Sequence, residues 1–248
     1  MPGVLVDFMS SPEDMNLKSP FANMLKVVRF IAAFFALFLP GLYVAISNFH
    51  QELIPTELLF AVAASRQTVP FPIIFEILLM EGAFELIREA GLRVPSPIGP
   101  TIGIVGALIL GDAAVSANIV SPILIILVAI TGICSFAIPD FSLGFSLRLF
   151  RFIYVLLGFF FGFLGIAFGL FVHTALLANL KSFGVPYLSP YLPVSNNKTE
   201  VSYLLPPLWK RGSRADFLNT KRKKSQDKIS MKWKYENATL DNNQNEGS

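Results

Sequence analysis

The sequence predicts an all-α, polytopic integral membrane protein with about four to six transmembrane helices. Two observations carry that prediction. Hydrophobic side chains make up 53% of the 248 residues and charged ones only 15%, giving a mean hydropathy of +0.58, far from the composition of an ordinary soluble domain. The apolar residues are also gathered into long windows: residues 30–51, 94–111, 113–139 and 152–178 contain no Lys, Arg, Asp or Glu. Each window can hold the roughly 20 apolar residues that a hydrocarbon core of about 30 Å demands of a helix. Spans are therefore expected at 27–47, 98–115, 119–139 and 152–177. Helices are the expected form because lipid offers no partner for an open backbone amide, and the sequence lacks the alternating pattern of a membrane barrel.

Three regions follow from the same pattern: a juxtamembrane segment at 1–26 with the turn-like SSPEDMNLKSP, a membrane domain at 27–181, and a hydrophilic tail at 182–248. Lys26 and Arg29 precede the first span, and the tail is basic. The positive-inside rule then places both chain ends in the cytoplasm and requires an even number of crossings. Arg148 and Arg151 fit only if the region before residue 94 adds a crossing or if protein buries them. Beyond the first span, PTELLFAVAASRQ begins a helix with Pro55 as its first residue and Glu57 in the first turn, where the helix dipole favours an acid. Pro70 and Pro72 break that helix. A second is expected from Ile73 to Ala90, closing at Gly91.

Pro95, Pro97 and Pro100 precede the next span and mark a kink or a break that lines a cavity, while Gly103 and Gly106 offer a helix-packing seam. Asp112 stands either in a loop or one turn inside the membrane, and only the second position makes it functional. Cys134, the single cysteine, is read as a small packing residue and excludes an internal disulfide or a Cys-cluster metal site. The last span, FIYVLLGFFFGFLGIAFGLF, spaces Gly158, Gly162, Gly165 and Gly169 for close helix association. The tail opens with FGVPYLSPYLPVSNN, whose prolines forbid a regular helix. It continues through a basic run from Lys210 to Lys234 flanked by Trp209 and Trp233. Such a run either stays solvated and disordered or lies on anionic membrane lipid. No nucleic-acid partner is expected, because a juxtamembrane basic run is ordinarily a topology and lipid signal.

The acidic helix is the unusual feature of so apolar a chain. At about 100° per residue, Glu81, Glu85, Arg88 and Glu89 share one face and Glu76 lies away from it. Arg88, three residues after Glu85, is expected to pair with it, leaving Glu81 and Glu89 as surplus acids. Either the helix lies at the membrane surface with its acids in water, or the acids face a bundle interior or an aqueous path. In the second case carboxylates from several subunits make a cation-selective constriction. Glu76, Glu81, Glu85, Arg88, Glu89 and Asp112 are the candidate ion-path or gate residues, and Pro70, Pro72, Pro95, Pro97 and Pro100 the candidate hinges. The sequence has no nucleophile motif and no Gly-rich phosphate loop, and His50 and His173 lack metal-ligand spacing. No enzyme activity, metal or cofactor is expected. The competing classes are a secondary transporter with a coupling ion at a broken helix and a structural membrane scaffold.

Four segments carry a resemblance: FLPGLYVAISNFHQELIPTELLFAVAASR, PFPIIFEILLMEGAFELIREAGLRVPSPIGPTIGIVGALILGDAAV, VSPILIILVAITGICSFAIPDFSL and LKSFGVPYLSP. Together they resemble the membrane region of the A subunit of GerA-type spore germinant receptors, from about Pro12 to Pro193. The resemblance implies a receptor subunit in the inner membrane of a bacterial endospore that responds to nutrients and triggers ion release. It implies a transporter-like B subunit and a C-subunit lipoprotein as partners, and an oligomeric, channel-like ring of A subunits. Members of that family carry a large soluble domain ahead of the membrane region. Residues 1–26 stand where the remnant of such a domain is expected.

Overall fold

The computed structural model describes residues 3–93 and 98–189. Helices dominate: α1 (Leu5–Phe8), α2 (Ser19–Phe49), α3 (Thr56–Arg66), α4 (Ile73–Arg93), α5 (Ile98–Ser116), α6 (Pro122–Phe136) and α7 (Phe141–Asn179), with 3-10 turns at Pro12–Met15 and Gln51–Leu53 and a ribbon of β1 (Lys181–Ser182) and β2 (Val185–Pro186). The chain divides into two compact units, residues 1–27 with 176–248, and residues 28–175.

In the first unit residues 3–8 are tied to residues 182–187. The Leu5 amide donates to the Tyr187 carbonyl at 3.0 Å, the Gly3 amide donates to Ser182 Oγ at 3.3 Å, and the rings of Phe8 and Tyr187 lie 6.0 Å apart. The turn between β1 and β2 uses Phe183 and Gly184 at positive φ.

The second unit is a helix bundle, and the sequence sets most of its boundaries. Pro55 sits immediately before α3 instead of opening it. The prolines at 70 and 72 fall in the linker before α4, because neither can donate to a helix that runs through it. Helix α4 continues past Gly91 to Arg93. A glycine stops a helix only when the chain turns left-handed there, and Gly91 has no positive φ. Helix α6 is shorter than its apolar window: it starts at Pro122 behind Ser121 and ends at Phe136, since Pro139 disfavours helix in the residue before it. At 1.5 Å per residue it is about 22 Å long. Among the described residues, two helices are long and apolar enough to cross a membrane, α2 and α7.

The largest departure from expectation is in α7, which is not a straight rod. Gly162 has φ 60° and ψ −140°, a conformation open to glycine and strained for other residues. The chain doubles back there. Tyr154 Oη and His173 Nδ1 share a hydrogen bond at 3.1 Å, and the rings of Phe150 and His173 stack at 4.4 Å. Nineteen residues of unbroken helix would set Tyr154 and His173 about 28 Å apart. Residues 141–161 and 163–179 are therefore two antiparallel arms, and the single crossing expected at 152–177 is replaced by a helical hairpin.

Contacts fix the direction of each helix. Phe38 meets Tyr154, Gly41 meets Tyr154 and Gly158, and Phe49 meets Gly162, so α2 runs parallel to the first arm. Helix α4 runs against that arm, as its ion pairs show below. Gly106 of α5 packs on Ile87 and Gly132 of α6 on Phe84. One core joins Val44, Ile77, Met80, Leu124, Val128 and Val155, and a second joins Leu37, Phe38, Ala45, Tyr154 and Ile166.

Candidate functional site

The acids of α4 meet cations from other helices. Glu81 Oε2 lies 2.9 Å from Arg151 Nη2, with both side chains almost fully buried, at 2% and 3% exposure. One turn on, Glu85 Oε1 lies 3.2 Å from Arg148 Nε. The two pairs form an antiparallel ladder between α4 and the first arm of α7. The Glu81–Arg151 pair is dry enough to persist only while each charge has its partner, because the desolvation cost of each ion is several kcal/mol; the Glu85–Arg148 pair is partly exposed.

Glu76 belongs to a different junction. Its Oε1 lies 3.3 Å from Arg66 Nη2 of α3, and its Oε2 accepts the Ser121 amide at 3.1 Å. This carboxylate thus ties α3, α4 and the start of α6 together.

Arg88 does not pair with Glu85 among the described residues. Its Nη2 donates to Ser135 Oγ at 2.6 Å and to the Gly132 carbonyl at 3.4 Å, and its guanidinium lies 4.2 Å from the centroid of Phe136. Spacing of i and i+3 along one helix contributes only about 0.2–0.5 kcal/mol. A buried carbonyl and a buried hydroxyl on α6, with the Phe136 ring beside them, outcompete it. The Nε and Nη1 atoms of Arg88 are buried without a hydrogen-bond partner.

The remaining candidates are spread out. Glu89 and Asp112 are exposed, on α4 and α5 respectively. Pro95 and Pro97 lie outside the described residues, and Pro100 falls in the first turn of α5. A Cβ on Gly103 would meet nothing within 4 Å, and one on Gly106 would rest in ordinary contact at 3.6 Å from Ile87. The glycines of α7 differ sharply from these. A Cβ on Gly158 would stand 2.5 Å from the Gly41 carbonyl oxygen, one on Gly165 would run into the Leu157 carbonyl, and one on Gly169 would stand 2.6 Å from Leu157 Cδ1. Gly158 therefore seats α2 against backbone, while Gly165 and Gly169 seat the return arm of the hairpin.

Sequence reasoning left Arg148 and Arg151 open between two alternatives and passed over Arg66, Ser121 and Ser135. Charge balance was the available signal for the first two. A helix with four acids inside a chain this apolar requires buried cations, and few other arginines lie within the apolar region.

Comparison with known proteins gives a consistent answer. A model of the family described as Bacillus/Clostridium GerA spore germination protein matches residues 1–217. The chain is 42% identical over 227 residues to spore germination protein KA of Bacillus subtilis (strain 168), covering 92% of this chain and 42% of the relative. It is 43% identical over 201 residues to the uncharacterized membrane protein YfkQ of the same organism, covering 81% and 39%. Spore germination protein A1, also from that organism, is 42% identical over 200 residues, covering 81% and 42%. The chain thus spans less than half the length of these relatives, and no solved structure matches it. With a family model over most of its length and relatives of this similarity, the chain belongs to the GerA spore germination protein family.

Proposed function

We propose that this chain is the membrane part of a subunit of a nutrient-responsive germination receptor in the spore inner membrane, where several copies form or gate an ion-conducting path. The observation that carries this reading is the ladder of a buried pair, Glu81–Arg151, and a partly exposed one, Glu85–Arg148, with Arg88 beside it. Ionisable groups at membrane depth are costly and ordinarily mark ion pathways or the elements that gate them. In this reading the path is closed while each acid holds its arginine and opens when the acids turn to passing cations. B and C receptor subunits are the partners in this reading, and its role is non-enzymatic.

In this reading the chain crosses six times, by α2, α4, α5, α6 and the two arms of α7, each antiparallel to the one before. Arg88, Arg148 and Arg151 then fall towards one end of the bundle. This removes the conflict that four crossings create with the positive-inside rule. The transporter reading has less support, because Glu81 and Glu85 are each already held by an arginine. The scaffold reading shares the same pairs, and function separates the two.

The test is the charge-neutral double variant Glu81→Gln/Arg151→Gln, which leaves no lone buried ion. At wild-type abundance it should change cation flux in liposomes containing the assembled receptor and should alter nutrient-triggered germination. Unchanged flux and unchanged ion preference would assign the ladder to structure alone.

A further inference from the structure

Three arginines share two acids at the ladder. Arg88 stands within electrostatic reach of Glu81, Glu85, Arg148 and Arg151, so these five side chains carry one more positive charge than negative. Arg151 and Arg148 hold the two acids, and Arg88 is the cation left over. It is 8% exposed and rests on neutral groups of α6, the Ser135 hydroxyl at 2.6 Å and the Gly132 carbonyl at 3.4 Å. Its Nε and Nη1 make no hydrogen bond among the described residues.

The two rungs are not equally firm. Glu81 and Arg151 are enclosed at 2.9 Å. Arg148 Nε lies 3.2 Å from Glu85 Oε1, yet it makes no hydrogen bond, so this rung has charge without the alignment that strengthens a charged hydrogen bond. Glu85 is also the acid within reach of Arg88. Three residues apart on one helix, their Cβ atoms are about 5–6 Å from each other, whereas Glu81 lies two turns away, about 10 Å along the axis. Arg148 in turn has the rings of Phe141 and Phe145 at 5.8 and 5.7 Å from its guanidinium carbon, both of them more than half exposed.

We propose that Arg88 is the reserve partner of Glu85: it leaves Ser135 for Glu85 when Arg148 withdraws, so that the first arm of α7 can part from α4 at this rung without stranding a carboxylate. Arg148 then turns outward to the rings of Phe141 and Phe145. Losing one partner of an enclosed pair is costly because of the lone ion left behind, and a third cation removes that cost at Glu85 alone. Glu81 has no such reserve, so Glu81–Arg151 stays closed as the pivot. The exchange also breaks the hold of α4 on Ser135, and a movement of α7 is thereby passed to α6 through one side chain. None of this requires an ion to pass beside the ladder, so the flux measurement above and the test below succeed or fail separately.

The test reads the Arg88–Ser135 bond from the far side of the ladder, by denaturant titration of the full-length chain in detergent. In the wild type, Ser135→Ala should lower the folding equilibrium constant about tenfold, the loss expected for one hydrogen bond to a charged group. In an Arg148→Gln background the same substitution should lower it by less than about twofold, because Arg88 has already left Ser135 for Glu85. In Glu85→Gln/Arg148→Gln, where no acid draws Arg88 away, the tenfold loss should return. Ser135 is neutral, so charge effects acting over a distance do not produce this pattern. Equal losses in all three backgrounds, no loss in the wild type, or a loss that stays small in Glu85→Gln/Arg148→Gln overturns the proposal. Failure of Arg148→Gln to fold overturns it as well, since Arg88 must then cover Glu85.

Discussion

The first arm of α7 bears two seams of opposite chemistry. Towards α4 it presents Arg148 and Arg151, each held by an acid; towards α2 and its own return arm it presents backbone at Gly158 and the reversal at Gly162. The charged seam is specific because each ion must meet its counterion, and its strength lies in the cost of separating them. The glycine seam is specific because only a hydrogen side chain fits, and its strength is dispersion between closely approached backbones. Loss of one partner breaks the first seam, whereas a single added carbon breaks the second.

The largest effect is expected in the charged seam. Glu81→Gln leaves the Arg151 guanidinium buried without a counterion, and destabilisation of about 3–5 kcal/mol follows. Denaturant titration of the purified protein in detergent measures it. Adding Arg151→Met should recover most of that loss, because an apolar side chain of similar length carries no desolvation cost. Glu85→Gln should cost less, since the Glu85 side chain is 31% exposed and its pair is less enclosed than Glu81–Arg151. Equal losses at the two rungs would mean that burial does not set the strength of the ladder.

The glycine seam should respond to size and not to charge. At Gly158 even alanine places a carbon 2.5 Å from the Gly41 carbonyl, closer than any ordinary contact, so α2 and α7 must move apart. Gly158→Ala should destabilise by about 1–3 kcal/mol, the range for overpacking a well-packed site. It should also separate the two helices, read as lower crosslinking between cysteines placed at positions 38 and 154. Unchanged stability and crosslinking would show that the backbones do not approach this closely.

The two seams also differ in how far the sequence reveals them. The helices themselves were legible, because charge-free windows and the prolines at 70 and 72 act within a few residues of chain. The glycine spacing 158, 162, 165 and 169 was legible as a packing signal, but its meaning as a hairpin was not. The reversal lies in GFFFGF, which has none of the polar turn residues that normally mark a change of direction; Gly162 supplies the left-handed conformation alone. The charged seam was misread for a complementary reason. Helical spacing assigns Arg88 to Glu85, whereas the partners that decide the matter come from α6, 44 and 47 residues away. Spacing along one helix reports proximity, and burial determines which proximate group an ion takes.

The smallest effect, and the one most informative about assembly, is expected at Gly82. It lies within α4 beside Glu81, and a Cβ built there meets nothing within 4 Å. Glycine inside a helix costs roughly 0.5–1 kcal/mol relative to alanine through the extra freedom of the unfolded chain. For an isolated chain, Gly82→Ala should therefore stabilise by about that amount. If copies of the chain pack around a shared path with α4 at their interface, the open space at Gly82 is where a neighbouring helix comes close, as small residues allow in lipid. The same substitution then weakens the oligomer while stabilising the dissociated subunit. Comparing the melting temperature of the monomer with the oligomer mass in native electrophoresis separates the two effects. A stabilised monomer with a weakened oligomer places α4 at the contact between copies; stabilisation with unchanged assembly keeps it on the periphery, where Glu81 and Glu85 serve their arginines and no shared path passes beside them.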